Sequence, residues 1–442
     1  MDDARAMFAA GKRSVLCVCA TGGGKSYIFM AMCENAAKKG KVLVLAHRTE
    51  LLDQHEENFR KNGISLDNIV IASVQSVYRN LDDYGDVYMV CADEAHLFKA
   101  RTFEQVIKHF QGKGSFTVGF TATPVRLDGS PMNTIFDSMV VGPGTKELIE
   151  QKRLSPYVYL CPASADVAQL KKRAGDYAIE DVEAVMDGKI YGDAIREYTE
   201  RCNGKQGIAF CCSIAHSKQL AQQFRDAGIS AEHIDGDLGK RQRKAVMDRF
   251  RAGEIQVLCN VNLISEGLSV DGIHVVMLLR PTLSLALYLQ QVGRGLRYEP
   301  GKVCTILDFV SNVYVHGLPD EEREWKLDGP PKAHREFDPE GRLTVRTCPY
   351  CFKCFETARL CPFCGEDYPT HPRELKQIEE IRLKEIRAEE LRRETERKAQ
   401  AAQEIRAARS YEDLLQIEKK YGYKHGWAII RARVRKYKIP HK

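Results

Sequence analysis

Cys19-Ala20-Thr21-Gly22-Gly23-Gly24-Lys25-Ser26 follows the apolar run 15–20 and precedes a helix-forming stretch. A strand, a glycine-rich loop and a helix in that order bring backbone N–H groups and a helix N-terminus onto one side of the loop, which makes a cradle for phosphate. Thr21, Gly22, Gly23 and Gly24 then form the loop wall. Lys25 reaches the β- and γ-phosphates, and the Ser26 hydroxyl is placed to bind Mg²⁺. Cys19 stands where such loops begin with Ala or Gly, and its side chain is small enough to be tolerated there.

Working outward, apolar runs at 42–46, 69–74, 87–92 and 116–120, then at 207–212, 255–261, 275–279 and 303–310, alternate with amphipathic helical stretches. Continuously apolar strands separated by helices predict parallel sheets covered on both faces. The number of runs predicts two such sheets, with a break near Val141-Gly142-Pro143-Gly144. No short-period repeat is present, which excludes a solenoid. The fourth run ends in Asp93-Glu94-Ala95-His96. Two adjacent carboxylates at a strand's C-terminal end, about 70 residues beyond a phosphate loop, suit a Walker B pair: Asp93 holds Mg²⁺ through water and Glu94 polarises the attacking water.

Asp93-Glu94-Ala95-His96, Thr121-Ala122-Thr123-Pro124 and Gln290-Gln291-Val292-Gly293-Arg294-Gly295-Leu296-Arg297 together resemble the motifs of superfamily 2 helicases, over residues 1 to about 318. The stretch from Gly119 to Gly129 narrows the likeness to RadD-like and XPB-like DNA helicases of phage or bacterial type. The resemblance implies two tandem RecA-like domains, 1–145 and 146–318, that clamp ATP between them. Gln290, Arg294 and Arg297 match the pattern that brings arginine fingers to the γ-phosphate, where developing negative charge needs cations. His96, Thr121 and Thr123 match the residues that couple hydrolysis to strand movement. By the same resemblance His47 and Arg48 with Glu50, Ser73 with Gln75, Ser213, and Ser265 in the 264–267 stretch grip a nucleic-acid backbone. Hydroxyls, amides and single cations suit gripping without base readout. Two departures stand out. No Gln precedes Gln54, so the family's adenine-reading glutamine has no counterpart ahead of Lys25, and Ser269 occupies a position where the family often has Asp.

Cys348-Pro349-Tyr350-Cys351 and Cys361-Pro362-Phe363-Cys364 form two knuckles. Four thiolates in two such turns predict a Cys₄ ribbon (348–368) holding structural Zn²⁺, with iron in a rubredoxin-like centre as the alternative; Cys354 reads as a spare thiol. Arg346, Lys353, Tyr350, Phe352, Phe355 and Phe363 would suit nucleic-acid contact. Residues 319–347, polar and holding Pro330-Pro331, read as a linker. Residues 369–442 read as a charged helical tail: a long exposed helix over 373–409, a second capped by Ser410, and a last one with Trp427, Ile430, Val434 and Tyr437 on one face.

The 442 residues, 44% apolar and 29% charged, suffice for several domains and exclude a disordered tail or short peptide. Of the net charge of +6, residues 371–442 carry +8, from 20 Lys/Arg against 12 Asp/Glu, which leaves −2 for the rest. That basic end is an electrostatic footprint for DNA or an acidic protein partner. The distribution of the 15 cysteines predicts a reducing compartment. The absence of a leader or a run of about 20 apolar residues predicts a soluble protein of the bacterial or phage-infected cytoplasm with no membrane partner. The expectation is an ATP-dependent DNA helicase or translocase acting on single-stranded or forked DNA. An RNA helicase and a zinc-ribbon scaffold with an inactive motor are the alternatives.

Overall fold

The computed structural model describes residues 1–47, 49–98, 100–126, 130–161, 172–173, 176–177, 188–261, 272–329, 344–348, 351–356, 358, 360–366, 400, 403–421, 426–435 and 437. The chain forms two compact units, Met1–Tyr368 and Pro369–Lys442.

The larger unit holds two six-stranded sheets. The first contains β1 (Ser14–Val18), β2 (Val42–Ala46), β3 (Ile69–Ser73), β4 (Met89–Ala92), β5 (Phe116–Thr121) and β6 (Ser138–Val141), in the order β3-β2-β4-β5-β1-β6. After β7 (Tyr157–Leu160) and the two-residue strands β8 (Lys172–Arg173) and β9 (Asp176–Tyr177) come β10 (Gly207–Cys211), β11 (Ala231–Ile234), β12 (Val257–Asn260), β13 (Val275–Leu279) and β14 (Cys304–Asp308). These build the second sheet in the order β11-β12-β10-β13-β14-β7. Every pairing in both sheets is parallel. Val42–Ala46 and Val275–Leu279 are buried at every position, so helices cover both faces of the central strands, and the fold is α/β with two RecA-like parallel-sheet layers.

All nine apolar runs lie on strands of these sheets, and three further strands were not anticipated. β6, β7 and β11 are all edge strands with mixed burial, as in Ala-Glu-His-Ile of β11, and mixed burial removes the continuous apolar signal.

The 319–329 segment carries no helix or strand, yet it is packed. Arg323 donates to the His316 and Leu318 carbonyls on the second-domain side, and Tyr157 donates to Asp320. Further along, the Met132 and Asn133 N–H groups donate to the Leu327 carbonyl, and Trp325 and Leu327 pack on the first domain's core. The segment is therefore a strap from one domain to the other rather than a loose linker.

The cysteine module adds β15 (Val345–Thr347) and β16 (Cys354–Glu356), an antiparallel pair. It docks on the edge strand β7: Leu160 pairs with Lys353, and the Cys161 N–H donates to the Phe352 carbonyl. Tyr314 Oη lies 2.7 Å from Thr347 Oγ1, and Thr347 Oγ1 lies 3.2 Å from Cys354 Sγ. Cys354 is thus a buried packing residue at this junction. Arg346, offered above as a nucleic-acid contact, is fully buried and donates to the Ala358 carbonyl; Phe355 is buried as well. Tyr350 lies outside the described residues. Phe363 is exposed with the Lys353 ammonium 4.7 Å from its ring centre, and Phe352 is half-buried with the Arg201 guanidinium 5.7 Å from its ring centre.

Docking on β7 makes the ribbon part of the motor. A metal held by the four cysteines would stabilise this docking, so treatment with a strong chelator is expected to open the module and make Cys161 and Cys354 reactive toward a thiol reagent in the folded protein, with a fall of several degrees in melting temperature. Unchanged labelling at those two positions would contradict the docking.

In the smaller unit, Ser410 Oγ accepts from the Asp413 N–H while Asp413 Oδ2 accepts from the Ser410 N–H, a reciprocal cap for helix Tyr411–Tyr421. Glu418 Oε2 accepts from the Ala428 N–H at 2.7 Å and so caps the last helix, Trp427–Val434. Of the expected apolar face of that helix, Trp427 and Tyr437 pack on this unit's core and Ile430 and Val434 do not. Ala428 and Ala432 point into the core with Leu414 and Ile417, whereas Ile430 is 66% and Val434 74% exposed. Small residues let the two helices approach closely, and this rotates the larger pair outward. The long helix expected over 373–409 falls largely outside the described residues; 403–407 is helical.

Candidate nucleotide and nucleic-acid site

The glycine-rich loop sits at the C-terminal end of β1, where Gly22 (φ +80°) and Gly24 (φ +88°) take left-handed conformations open to glycine. Helix Lys25–Ala37 starts directly after it, and its first N–H groups have no partner within the helix. These groups, with Lys25 and Ser26, fit a phosphate–Mg²⁺ ligand. β4 delivers Asp93 and Glu94 beside them. Lys25 Nζ contacts Glu94 Oε1 directly and lies 3.5 Å from Asp93 Oδ1. Burial alone would lower the Lys25 pKa, but the charges of Glu94 and Asp93 outweigh it and raise the value. Burial would likewise raise Glu94, yet Lys25 first and His96 second pull it down to about 2. Glu94 is therefore a carboxylate at neutral pH, as a group that polarises water must be. Its backbone is held at φ +48°, an unfavoured conformation for a residue with a side chain that costs about 1 kcal/mol.

The two domains meet at His96. Thr121 Oγ1 donates to the Thr123 carbonyl at 2.7 Å, so its hydrogen is used; His96 Nδ1–H then donates to Thr121 Oγ1 at 2.8 Å. That leaves His96 Nε2 as an acceptor, and Gln290 Nε2 of the second domain donates to it at 3.1 Å. This arrangement requires a neutral imidazole, and burial pushes the His96 pKa down to about 4. The chain Thr123–Thr121–His96–Gln290 is a continuous buried link from the strand behind the glycine-rich loop to the helix that carries Arg294, Leu285–Gly295.

Arg294 is buried on that helix, where burial and then the charge of Arg297 lower its pKa to about 10 and Glu94 opposes them, so it stays cationic. Arg297 runs alongside the loop: a methyl group on Gly22 would meet Leu154 at 3.0 Å and Arg297 Cγ at 3.7 Å. At Gly293 the domains pack so closely that a Cβ there would lie 2.5 Å from Thr21 Cβ. Thr21 Oγ1 and Thr123 Oγ1 are buried without a hydrogen-bond partner. Gly293→Ala should hold the seam ajar and slow ATP turnover about tenfold while nucleotide binding at the loop persists. Equal turnover in the variant would show that this contact is not kept during hydrolysis. A cavity of about 580 Å³ opens beside this contact under the strap, lined by Thr21, Gly144, Leu289, Gly293, Arg323 and Trp325 among others; Lys25 and the two acids do not line it.

The expected nucleic-acid residues are less gathered. Ser73 Oγ and Ser213 Oγ cap the helices Val74–Arg79 and Ile214–Asp226, accepting from the Ser76 and His216 N–H groups. Gln75 is exposed, and His47 is half-buried with its ring edge toward Phe98. Arg48 and Ser265, with Ser269 and Asp271, lie outside the described residues. Sequence reasoning missed His55, whose Nε2 stands 3.7 Å from Asp93 Oδ2, because a lone histidine on an amphipathic helix carries no motif. It also read Gly293 only as part of a pattern, not as the point of contact with Thr21.

In the ribbon, Cys348 Sγ lies 3.5 Å from Cys364 Sγ and Cys351 Sγ 3.7 Å from Cys361 Sγ, and all four sulfurs fall within 4.8 Å of one another. A tetrahedral Zn²⁺ with bonds of about 2.3 Å needs sulfurs about 3.8 Å apart, so the donor set fits. The Phe363 and Cys364 N–H groups outweigh desolvation and lower the Cys361 pKa to about 7, which favours the thiolate a metal requires.

Two family models match the chain: the type III restriction enzyme res subunit over residues 1–126, and the helicase conserved C-terminal domain over residues 191–299. A 51.5 kDa protein of a Lactococcus phage (isolate 7-9) is 34% identical over 375 residues, which cover 82% of each chain. With two parallel-sheet domains joined across this seam, the chain belongs to the superfamily 2 helicases, enzymes that hydrolyse ATP. Among named relatives, a Saccharomyces cerevisiae protein provisionally named ATP-dependent helicase IRC3 is 29% identical, over 68% of this chain and 49% of its own length. The solved structure of the DUF1998 helicase MrfA bound to DNA shares the fold, with a TM-score of 0.53 at 13% identity over 70% of this chain and 48% of MrfA. This chain thus spans about half the length of each of those two proteins.

Proposed function

We propose that this protein is an ATP-dependent DNA helicase or translocase whose stroke is the opening and closing of the seam between its two domains. The observation that carries the reading is the set of contacts there: Lys25 on Glu94 and Asp93 from one domain, with Gln290 on His96 and Arg294 buried beside it from the other. Lys25, Ser26 and the loop N–H groups bind the triphosphate with Mg²⁺, which supplies charge neutralisation. Asp93 orients that ion's water shell, Glu94 polarises the attacking water, and Arg294 and Arg297 meet the charge that develops on the γ-phosphoryl group. Closure is needed to bring the arginines in, so hydrolysis is gated by domain movement.

Nucleic acid is held as a backbone by His47, Arg48, Ser73, Gln75, Ser213 and Ser265, and the basic end of the chain adds affinity or takes an acidic protein partner. DNA is the preferred reading because MrfA, which shares the fold, is a DNA-bound helicase. No helix among the described residues is long and apolar enough to cross a membrane, and we place the protein in the cytoplasm of a bacterial or phage-infected cell. Zn²⁺ in the Cys₄ set is structural, with one ion per chain expected by elemental analysis.

ATP hydrolysis measured with single-stranded DNA, duplex DNA and RNA tests the substrate, and unwinding of 3′- against 5′-tailed duplexes gives polarity. Stimulation by DNA is expected; stimulation by RNA alone would overturn the DNA assignment.

A further inference from the structure

Asp93 is approached from two sides. Its Oδ1 accepts from the Glu94 N–H at 2.9 Å and lies 3.5 Å from Lys25 Nζ, while its Oδ2 faces His55 Nε2 at 3.7 Å. His55 belongs to helix Thr49–Lys61, is buried, and packs on Phe29 with ring centres 5.2 Å apart. Its Nε2 is enclosed and has no hydrogen-bond partner. An imidazole nitrogen enclosed without a partner is costly, and this one is aimed at a carboxylate just beyond bonding distance.

When a triphosphate enters the loop, Lys25 must leave the acids for the phosphates. Asp93 then loses its cation at the moment it has to present an oxygen to the water shell of Mg²⁺. We propose that His55 is the positioning residue for Asp93: its Nε2–H closes onto Oδ2 and fixes the carboxylate while Oδ1 stays tied to the Glu94 backbone. The group acts through Asp93 and touches neither nucleotide nor ion, as the outer partners of metal-binding carboxylates do. The inference rests on the phosphate-site reading above.

The test is a titration of the full chain with Mn²⁺ in the presence of a non-hydrolysable ATP analogue, free Mn²⁺ being read by electron paramagnetic resonance. His55→Phe keeps a ring on Phe29 but has no donor, and His55→Gln restores an N–H. His55→Phe is expected to weaken Mn²⁺ binding roughly 10- to 100-fold, and His55→Gln to return it to within about threefold of the parent. Should the phenylalanine variant fail to fold, His55→Met fills similar space without a donor and carries the same expectation. Parent-like binding in the donor-free variant would overturn the proposal. So would equal weakening in the glutamine variant, which would mark a packing role. Asp93→Asn separates the two readings: if it binds Mn²⁺ as the parent does, the Walker assignment fails rather than the role of His55.

Discussion

Replacing Lys25 by alanine is expected to lower ATP turnover on the order of 10³-fold, about 4 kcal/mol of transition-state stabilisation. The side chain has two successive partners. Before nucleotide binds it neutralises the buried Glu94 and Asp93, and its charge is the chief one that holds Glu94 down near 2. In the proposed cycle it then turns to the phosphates. Alanine removes both roles: two neighbouring carboxylates lose the lysine between them, and the site keeps its N–H groups and Ser26. Nucleotide binding should weaken along with turnover, which steady-state hydrolysis and a fluorescent-nucleotide titration would report together. Turnover within about twofold of the parent would remove the glycine-rich loop from the mechanism.

Arg294→Ala should produce a loss of similar or larger size, about 10³- to 10⁵-fold in kcat, with a different signature. Arg294 is carried by the second domain's helix and not by the glycine-rich loop, so nucleotide affinity should stay within a few fold of the parent. The contrast between a variant that binds poorly and turns over poorly and one that binds well and turns over poorly identifies which domain brings which charge. If Arg294→Ala lost binding and turnover in equal measure, the arginine would belong to the ground-state nucleotide site and not to the closing stroke.

The reach of the sequence divides along a physical line. Interior strands such as Val42–Ala46 are buried on both faces, so their apolar runs are continuous and visible in the chain alone. β6, β7 and β11 lie at sheet edges, are only partly buried, and leave no such trace. The glycine-rich loop and the Asp-Glu pair are each contiguous in sequence because a single turn presents each, so both patterns are visible in the chain alone. His55 and the touch of Gly293 on Thr21 depend on packing between distant segments, which spacing cannot express. The last helix misled for a related reason. Of its four expected apolar-face residues Trp427 and Tyr437 pack on the core, but close helix packing selects Ala428 and Ala432 and leaves Ile430 and Val434 exposed. Arg346 was likewise read as a surface cation although the ribbon buries it against Phe355.

The seam also explains why the 319–329 strap matters. Trp325 and Leu327 hold the first domain while Arg323 and Asp320 are tied to the second, so any opening stroke must work against this segment or carry it along. Its contacts lie beside the contact of Thr21 with Gly293, where motion would be greatest.

The central claim is that ATP is hydrolysed in the seam between the two domains and that nucleic acid controls its closure. Steady-state ATP hydrolysis by the full chain, measured with and without saturating single-stranded DNA, tests it most directly. The account predicts a low basal rate and at least a tenfold rise with DNA, to a turnover on the order of 1–100 s⁻¹. Hydrolysis that is absent, or that proceeds at one rate whether or not nucleic acid is present, would contradict it.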